Sequence, residues 1–419
     1  MIAEHTLANG LQVAIEQLDG VASTSIQLLL PAGSAYDDDD TDGCAAVLTE
    51  MLFRGTHALT SVELAASCDL AGMQRGTHAG RRHVQMHVTT TGDQLTQSLE
   101  LLFAAATDPA LDRSDLEHAR QLCLQSLQHL SDDPHDELGL AIGLRHLNRP
   151  FHRTGRGSQR GLSALSQRDV THRHASCCVP GGAILCIAGA CEADACLDSI
   201  GTLTGSWTGS PPELPEPVPG PRGQRLITQD TSQVHLAMAW DAPDAAADTR
   251  MLEHLVCTAL GGTTSGRLFT EVRQRRSLCY SVSSQYLPGR DQGWCALHAG
   301  TTPDHAPELV ATCLSEIHRV ASTLTAEEIE RARRSIISSM ALRGESTAAR
   351  AGTLAADLAA TGECKSLLQR RAEYESVAVS DVQEHARRYA RLEPTIVAIG
   401  PEGSLPYESM PSLRDHTAG

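Results

Sequence analysis

No stretch of this sequence is long and apolar enough to cross a bilayer: nowhere do about 18 apolar residues run together, which excludes a helical membrane span. The opening residues, MIAEHTLANGLQVAIEQ, lack a basic segment followed by an apolar core, so no export signal is read there and a cytoplasmic protein is expected. Lysine is almost missing. Of 34 basic residues only Lys365 is not arginine, a bias of composition more than a sign of function. Positive charge as a whole is outweighed by 51 acidic residues, and the net charge of -17 disfavours nucleic acid and anionic membranes as partners. Thirteen cysteines, an odd number without a single CxxC spacing, form neither a disulfide framework nor a zinc knuckle, and adjacent Cys177 and Cys178 read as reduced core residues.

What is present is enough apolar side chain for large cores: 41% of 419 residues, a length that suggests at least two domains of a globular protein. Strands are expected on either side of Asn9-Gly10 and Gly20, where Leu11, Val13 and Ile15 alternate, then Ile26, Leu28 and Leu30. The acidic run Asp37 to Asp42 precedes a helix over about Gly43 to Phe53, where negative charge suits a helix N-terminus. A helix capped by Ser61 runs to Ala71, and alternation from His83 to Thr89 predicts a strand. Helices follow over about Gly92 to Ala106, Arg113 to Leu130, Asp136 to Leu147 and Ser166 to Ser176, then a strand at Ala183 to Ala188. Residues 206 to 223 hold six prolines and read as an extended linker.

After the linker the order repeats. Strand Val234 to Trp240, helix Asp248 to Leu260, strand Trp294 to Ala299 and helices Pro307 to Ser322 and Ala326 to Arg343 retrace the first half. The closing signatures match too: Asp169-Val170 stands 20 residues before Gly189, and Asp381-Val382 stands 19 before Gly400. The expected fold class is α+β: two tandem homologous α/β halves, 1–205 and 224–419, each a sheet backed by helices.

One stretch looks built to touch something: GGTTSGRLFTEVRQRRSLCYSVSS, Gly261 to Ser284. Its paired glycines should break the helix and give a pliant turn from Gly261 to Gly266 that admits a ligand to the backbone. A short helix is expected from about Arg267 to Arg276, then a strand entered at Tyr280. Arg273 and Tyr280, seven residues apart, could then converge. The planar fork of an Arg and the hydroxyl of a Tyr suit a carbonyl gaining negative charge. A solvated Arg and a Tyr packed under a loop fit the same residues.

With these motifs the sequence resembles the insulinase/pitrilysin-type metallopeptidases, in the branch whose chains have about this length and pair into a clam-shaped chamber. The resemblance spans nearly the whole chain. It is most specific at Gly261 to Ser284, which is similar to the family's glycine turn followed by SRLFxEVRExRGLAYSV. The resemblance implies that Arg273 and Tyr280 bind the substrate backbone and that Gly261, Gly262, Thr263, Thr264 and Ser265 help to hold the peptide. The first half departs from the pattern. Catalytic members carry His-x-x-Glu-His ahead of Met-x-Phe-x-Gly-Thr; here Met51, Phe53, Gly55 and Thr56 fix the alignment, and the motif positions read Ala46-Val47-Leu48-Thr49-Glu50. The family's third ligand falls 76 residues beyond Glu50, on Ser126. Zinc needs three protein donors and an open position for water, so no zinc is expected in this chain.

Two decoys remain. Arg250-Met251-Leu252-Glu253-His254 looks like a worn copy of the motif in the second half, with Ser339 at the place corresponding to Ser126. His78, His83 and His87 could be read as ligands, but a partly solvated sheet face explains them as well. The function implied is that of a non-catalytic subunit of a heterodimeric zinc metallopeptidase, with a related His-x-x-Glu-His chain supplying the zinc and Arg273 and Tyr280 entering its site. A scaffolding subunit and a peptide-binding module without proteolysis are the rival readings.

Overall fold

The computed structural model describes residues 2–404; residues 405–419, the end of the expected C-terminal half, lie outside the described residues. The first half runs β1 (Ile2–Thr6), β2 (Gln12–Gln17), β3 (Ser23–Leu30), α1 (Cys44–Met51), α2 (Ser61–Leu70), β4 (Gln74–Ala79), β5 (Val84–Thr91), α3 (Leu95–Thr107), α4 (Arg113–Asp132), α5 (Pro134–His146), α6 (Gln159–Ala164), α7 (Gln167–Cys177), β6 (Ile184–Gly189) and α8 (Ala193–Thr204). The second runs β7 (Gln224–Thr228), β8 (Val234–Ala242), α9 (Arg250–Cys257), β9 (Ser281–Pro288), β10 (Gly293–Thr301), α10 (Ala306–Thr323), α11 (Ala326–Arg343), α12 (Thr347–Thr361), α13 (Leu367–Ser376), α14 (Val379–Ala386) and β11 (Thr395–Gly400).

The repeat read from the sequence is a repeat of topology. The first sheet has the order β1-β2-β6-β3-β5-β4 and the second β7-β11-β8-β10-β9. Setting β1 aside, each position corresponds: β2 with β6 and β7 with β11 are parallel, and the remaining pairs are antiparallel in both sheets. β6 and β11 are buried at every residue, ILCIAG and TIVAIG. A continuous apolar run of this kind needs cover on both faces of the sheet.

That cover comes from an exchange. The described residues form two compact units, 2–129 with 149–218 and 341–367, and 130–148 with 219–340 and 368–404. In the first, Leu354, Ala355 and Leu358 of α12 pack on Ala14, Leu29, Ile184, Cys186 and Ala188. In the second, Leu138 and Ile142 of α5, with Leu147, pack on Ala237, Ala239, Trp294, Ala296, Val397 and Ile399. Each unit therefore includes one helix from the other half of the sequence.

Smaller expectations were revised. The cap of α2 is Thr60, not Ser61: the Thr60 hydroxyl accepts the Glu63 N–H and the Glu63 carboxylate accepts the Thr60 N–H, a capping box. The acidic run is drawn off by arginines. The buried Asp37 carboxylate accepts the Gly43 N–H at 3.0 Å and pairs with Arg173 at 2.6 Å, while Asp39 pairs with Arg153 and Asp40 with Arg160. Burial pushes the Asp37 carboxyl up to about 6 against the pull of Arg173. The proline-rich segment is extended but fastened to the first unit, by Trp207 Nε1 donating to the Cys178 carbonyl and by a bridge between Val218 and Arg149. All thirteen cysteines are free, and none of the described helices is long and apolar enough to span a membrane.

Candidate functional site

The stretch from Gly261 to Ser284 lies wholly in the second unit, and its first part corrects the sequence reading. Helix α9 does not break at the paired glycines. It widens into a π-helical turn over Thr258–Gly262. Gly261 is buried without a left-handed backbone, and a Cβ there would stand 2.7 Å from Leu268 Cδ1 and 2.8 Å from Ser284 Oγ. The glycine thus serves close packing of the turn against β9 and is not a pliant hinge. Ser284 also donates to the Cys257 carbonyl at 2.9 Å, tying the end of α9 to that strand. The turn proper is Thr263 to Gly266, closed by the Gly266 N–H on the Thr263 carbonyl. Gly262, Thr264 and Ser265 are exposed and Thr263 is half-buried.

The expected helix follows, from Arg267 through a second π-helical segment, Phe269–Arg275, anchored by buried Leu268 and Val272. Four arginines lie in or next to it, and three are taken up by carboxylates. Arg267 grips Glu328 through Nε at 2.8 Å and a terminal nitrogen at 2.7 Å; Arg275 and Arg276 both pair with Glu271, at 2.9 and 3.1 Å. The Arg273 side chain has no hydrogen-bond or ion-pair partner among the described residues. Its guanidinium lies over the ring of Phe269, 4.8 Å from the centroid, a cation–π contact that leaves its donors to solvent. Phe269 was not singled out from the sequence, although its i,i+4 spacing from Arg273 carries the signal.

The chain then reverses at Ser277, which has φ 54° where the family motif has glycine. The Ser277 and Leu278 N–H groups bond to the Arg273 and Val272 carbonyls at 3.1 and 3.0 Å. Tyr280 sits just ahead of β9, fixed by its N–H on the Gly300 carbonyl at 3.2 Å, and is 70% exposed. Its hydroxyl has no partner among the described residues. One tight turn therefore separates two exposed side chains, Arg273 and Tyr280, whose polar groups have no hydrogen-bond partner among the described residues.

In the first unit, α1 carries Ala46, Thr49 and Glu50, and α4 carries Ser126. Ala46 and Thr49 are buried; the Thr49 hydroxyl is turned back on the Ala46 carbonyl at 2.6 Å, and Thr77 of β4 donates to the Thr49 carbonyl. Glu50 and Ser126 are exposed. Burial, with the Glu50 charge, raises the thiol of Cys123, one turn before Ser126 on α4, to about 12. The residues at these positions do not fit zinc. An Ala has no donor, the Thr hydroxyl is already committed, and among the described residues no group of three or more His, Cys, Asp or Glu side chains could hold a metal ion.

The decoys resolve into structure. Glu253 is wholly buried and accepts from Tyr389 and His385 at 2.6 Å and from Arg388 and Cys295 at 3.3 Å. His254 meets the Tyr374 hydroxyl at 2.7 Å, Arg250 reaches Glu373 at 3.5 Å, and Ser339 is an exposed residue of α11. The His87 ring fills the space over Gly76 of β4, close to His78, while His83 precedes the strand.

Comparison with known proteins bears on the family and the fold. Residues 12–152 match the family model described as insulinase (peptidase family M16), and residues 164–336 match the peptidase M16 inactive domain. An uncharacterised zinc protease of Mycobacterium tuberculosis is 25% identical over 407 residues, covering 95% of this chain and 93% of the relative. One of Bacillus subtilis is 22% identical over 414 residues, covering 97% and 100%. Among solved structures, a peptidase M16 inactive domain from Pseudomonas fluorescens superposes with a TM-score of 0.86 at 18% identity over 96% of this chain and 98% of that one. A protease from Helicobacter pylori gives 0.86 at 19% identity over 96% and 100%, and a chain of Complex III2 from Candida albicans gives 0.83 at 17% over 96% of both.

Proposed function

This chain belongs to the insulinase (M16) peptidase family, and we propose that it acts there as the non-catalytic, substrate-binding subunit of a heterodimeric zinc metallopeptidase. One observation carries the reading: of four neighbouring arginines, three are spent on carboxylates, while Arg273, with Tyr280 one turn away, offers its donors to solvent. A scaffold has no use for a hydrogen-bonding pair held open in this way. The positions Ala46, Thr49, Glu50 and Ser126 supply neither a competent ligand set nor a general base, so zinc and base belong to a related chain with an intact His-x-x-Glu-His motif.

In the complex, the Arg273 fork and the Tyr280 hydroxyl bind the peptide carbonyl or the adjacent backbone and stabilise charge that develops on oxygen. The exposed Gly262, Thr264 and Ser265 border the peptide's path, and Gly261 sets their position from below. A purely structural subunit is the second reading; the Candida albicans likeness lends it fold alone.

Two experiments test this. The purified chain should hold no stoichiometric zinc after dialysis and cleave no peptide, but form a 1:1 peptidase with a His-x-x-Glu-His relative encoded in the same genome. In that complex Tyr280→Phe and Arg273→Ala should each lower turnover about 100- to 1000-fold while assembly is unchanged. Tightly bound zinc with chelator-sensitive activity in the chain alone would overturn the assignment. Turnover within about twofold of the parent for both variants would leave only the scaffold.

A further inference from the structure

Helix α5 meets its sheet through a contact face rich in histidine. At its start His135 stacks on His298 of β10, with ring centroids 5.3 Å apart and planes at 23°. His298 pairs in register with Ala237 and Gly300 with His235, so His235 of β8 lies on the same sheet face as His298. At its end His146, 1% exposed, meets the Thr395 hydroxyl through Nδ1 at 2.9 Å and tilts over Trp294 at 5.9 Å. Nδ1 of His298 and Nε2 of His146 are buried with no hydrogen-bond partner among the described residues.

The acidic groups facing these rings are already engaged. Toward the start of α5 they are Asp133, which caps the N–H groups of His135 and Asp136 at 2.9 and 3.4 Å, Asp136 itself, and Glu137, which accepts from Gln229 at 2.7 Å. Toward its end stand Arg145, Arg222, Arg225 and Asp241; Asp241 lies 3.5 Å from His146 Nε2 but is held by Arg222 at 2.5 and 2.9 Å. β9, β10 and β11 bring no charged side chain to this face besides His298. A proton on His146 or His298 thus adds poorly compensated charge inside an apolar contact. Burial, reinforced by His135, holds His298 down to about 4 and His235 below 6.5; burial and Arg222, against Asp241, hold His146 down to about 4.

We propose that α5 is an acid-labile clasp: protonation of its histidine contacts near pH 5 loosens this helix from the second sheet while the rest of the unit stays folded. The docked helix takes up protons less readily than the released one, because the docked values lie below the ordinary 6.5. Docking is therefore strongest above pH 6.5 and is lost as pH falls from there toward 4. A ring held near 4 weakens docking roughly 20-fold between pH 7 and pH 5. Helix α12 plays the corresponding part on the first sheet, and neither it nor the sheet residues packed with its apolar face include a histidine.

Hydrogen–deuterium exchange of the full chain at pH 7 and pH 5, corrected for intrinsic rates, tests the clasp. Amides of 135–147 should open roughly 400-fold more at pH 5, about 20-fold from each of His146 and His298, with those of α12 and α11 little changed. His298→Gln and His146→Gln should each remove about 20-fold of that acid response. The proposal fails if α5 gains no more exchange than α12, if α11 opens in parallel, which would mean global unfolding, or if the double variant keeps the full response.

Discussion

Replacing Glu253 by alanine is the sharpest probe of how the second unit holds together. The carboxylate sits on α9, wholly buried, and is the shared acceptor of four donors: the Tyr389 hydroxyl and His385 Nε2 at 2.6 Å, and Arg388 and the Cys295 thiol at 3.3 Å. Burial alone would raise its pKa; the bonds from His385, Arg388 and Tyr389 outweigh it and hold the carboxyl below the ordinary 4.5. Removing one member of a buried charged cluster strands the others. Tyr389 is fully buried and has no water to turn to, and His385 and Arg388 lose their anion. The expected cost is about 3–5 kcal/mol. At about 2–4 °C per kcal/mol for a unit of this size, the melting temperature should fall by roughly 10 °C. Calorimetry at pH 7 reads this directly. Because the folded value is depressed, the stabilisation is present above pH 4.5 and is lost as pH falls through the folded value, so the gap between variant and parent should close in acid. A variant melting within about 2 °C of the parent at pH 7 would refute the reasoning and make the cluster a bystander of packing.

Two further substitutions test the local reading of the site. Ser277→Gly places the residue that tolerates left-handed backbone where φ is 54°, and should stabilise the chain by roughly 1 kcal/mol in urea titration. No change would mean that the turn is relaxed as it stands. Gly261→Ala drives a Cβ to 2.7 Å from Leu268 Cδ1 and 2.9 Å from the Ser284 backbone nitrogen, and should cost about 1–3 kcal/mol in the same assay. A neutral result would restore the view of this glycine as a flexible hinge.

Much of this protein was legible in one dimension. The tandem halves could be read because alternating strands and amphipathic helices recur in one order, and the sheets answer with one topology. Arg273 and Tyr280 were found by a motif local in sequence, and the structure places both on the surface beside one turn. Local signals also misled where packing overrode propensity: paired glycines argue for a break, yet α9 continues as a π turn because only a residue without a Cβ fits against Ser284.

What the sequence by itself determined, then, is the set of elements, their repetition and the chemistry displayed at Arg273 and Tyr280. The tertiary structure alone decided which sheet each helix covers, since an apolar stripe records that a helix must be buried but not on what. α5 and α12 accordingly sit in the unit formed mainly by the other half of the chain. It also decided which arginine stays free: Glu328 is 61 residues from Arg267, and no local pattern announces that pair. The meeting of His135, His235 and His298, and of Glu253 with His385 and Tyr389, has the same origin. Periodicity fixes the face on which a side chain stands, whereas its partner across a long loop is chosen only when burial leaves a polar group a single place to find its hydrogen bond.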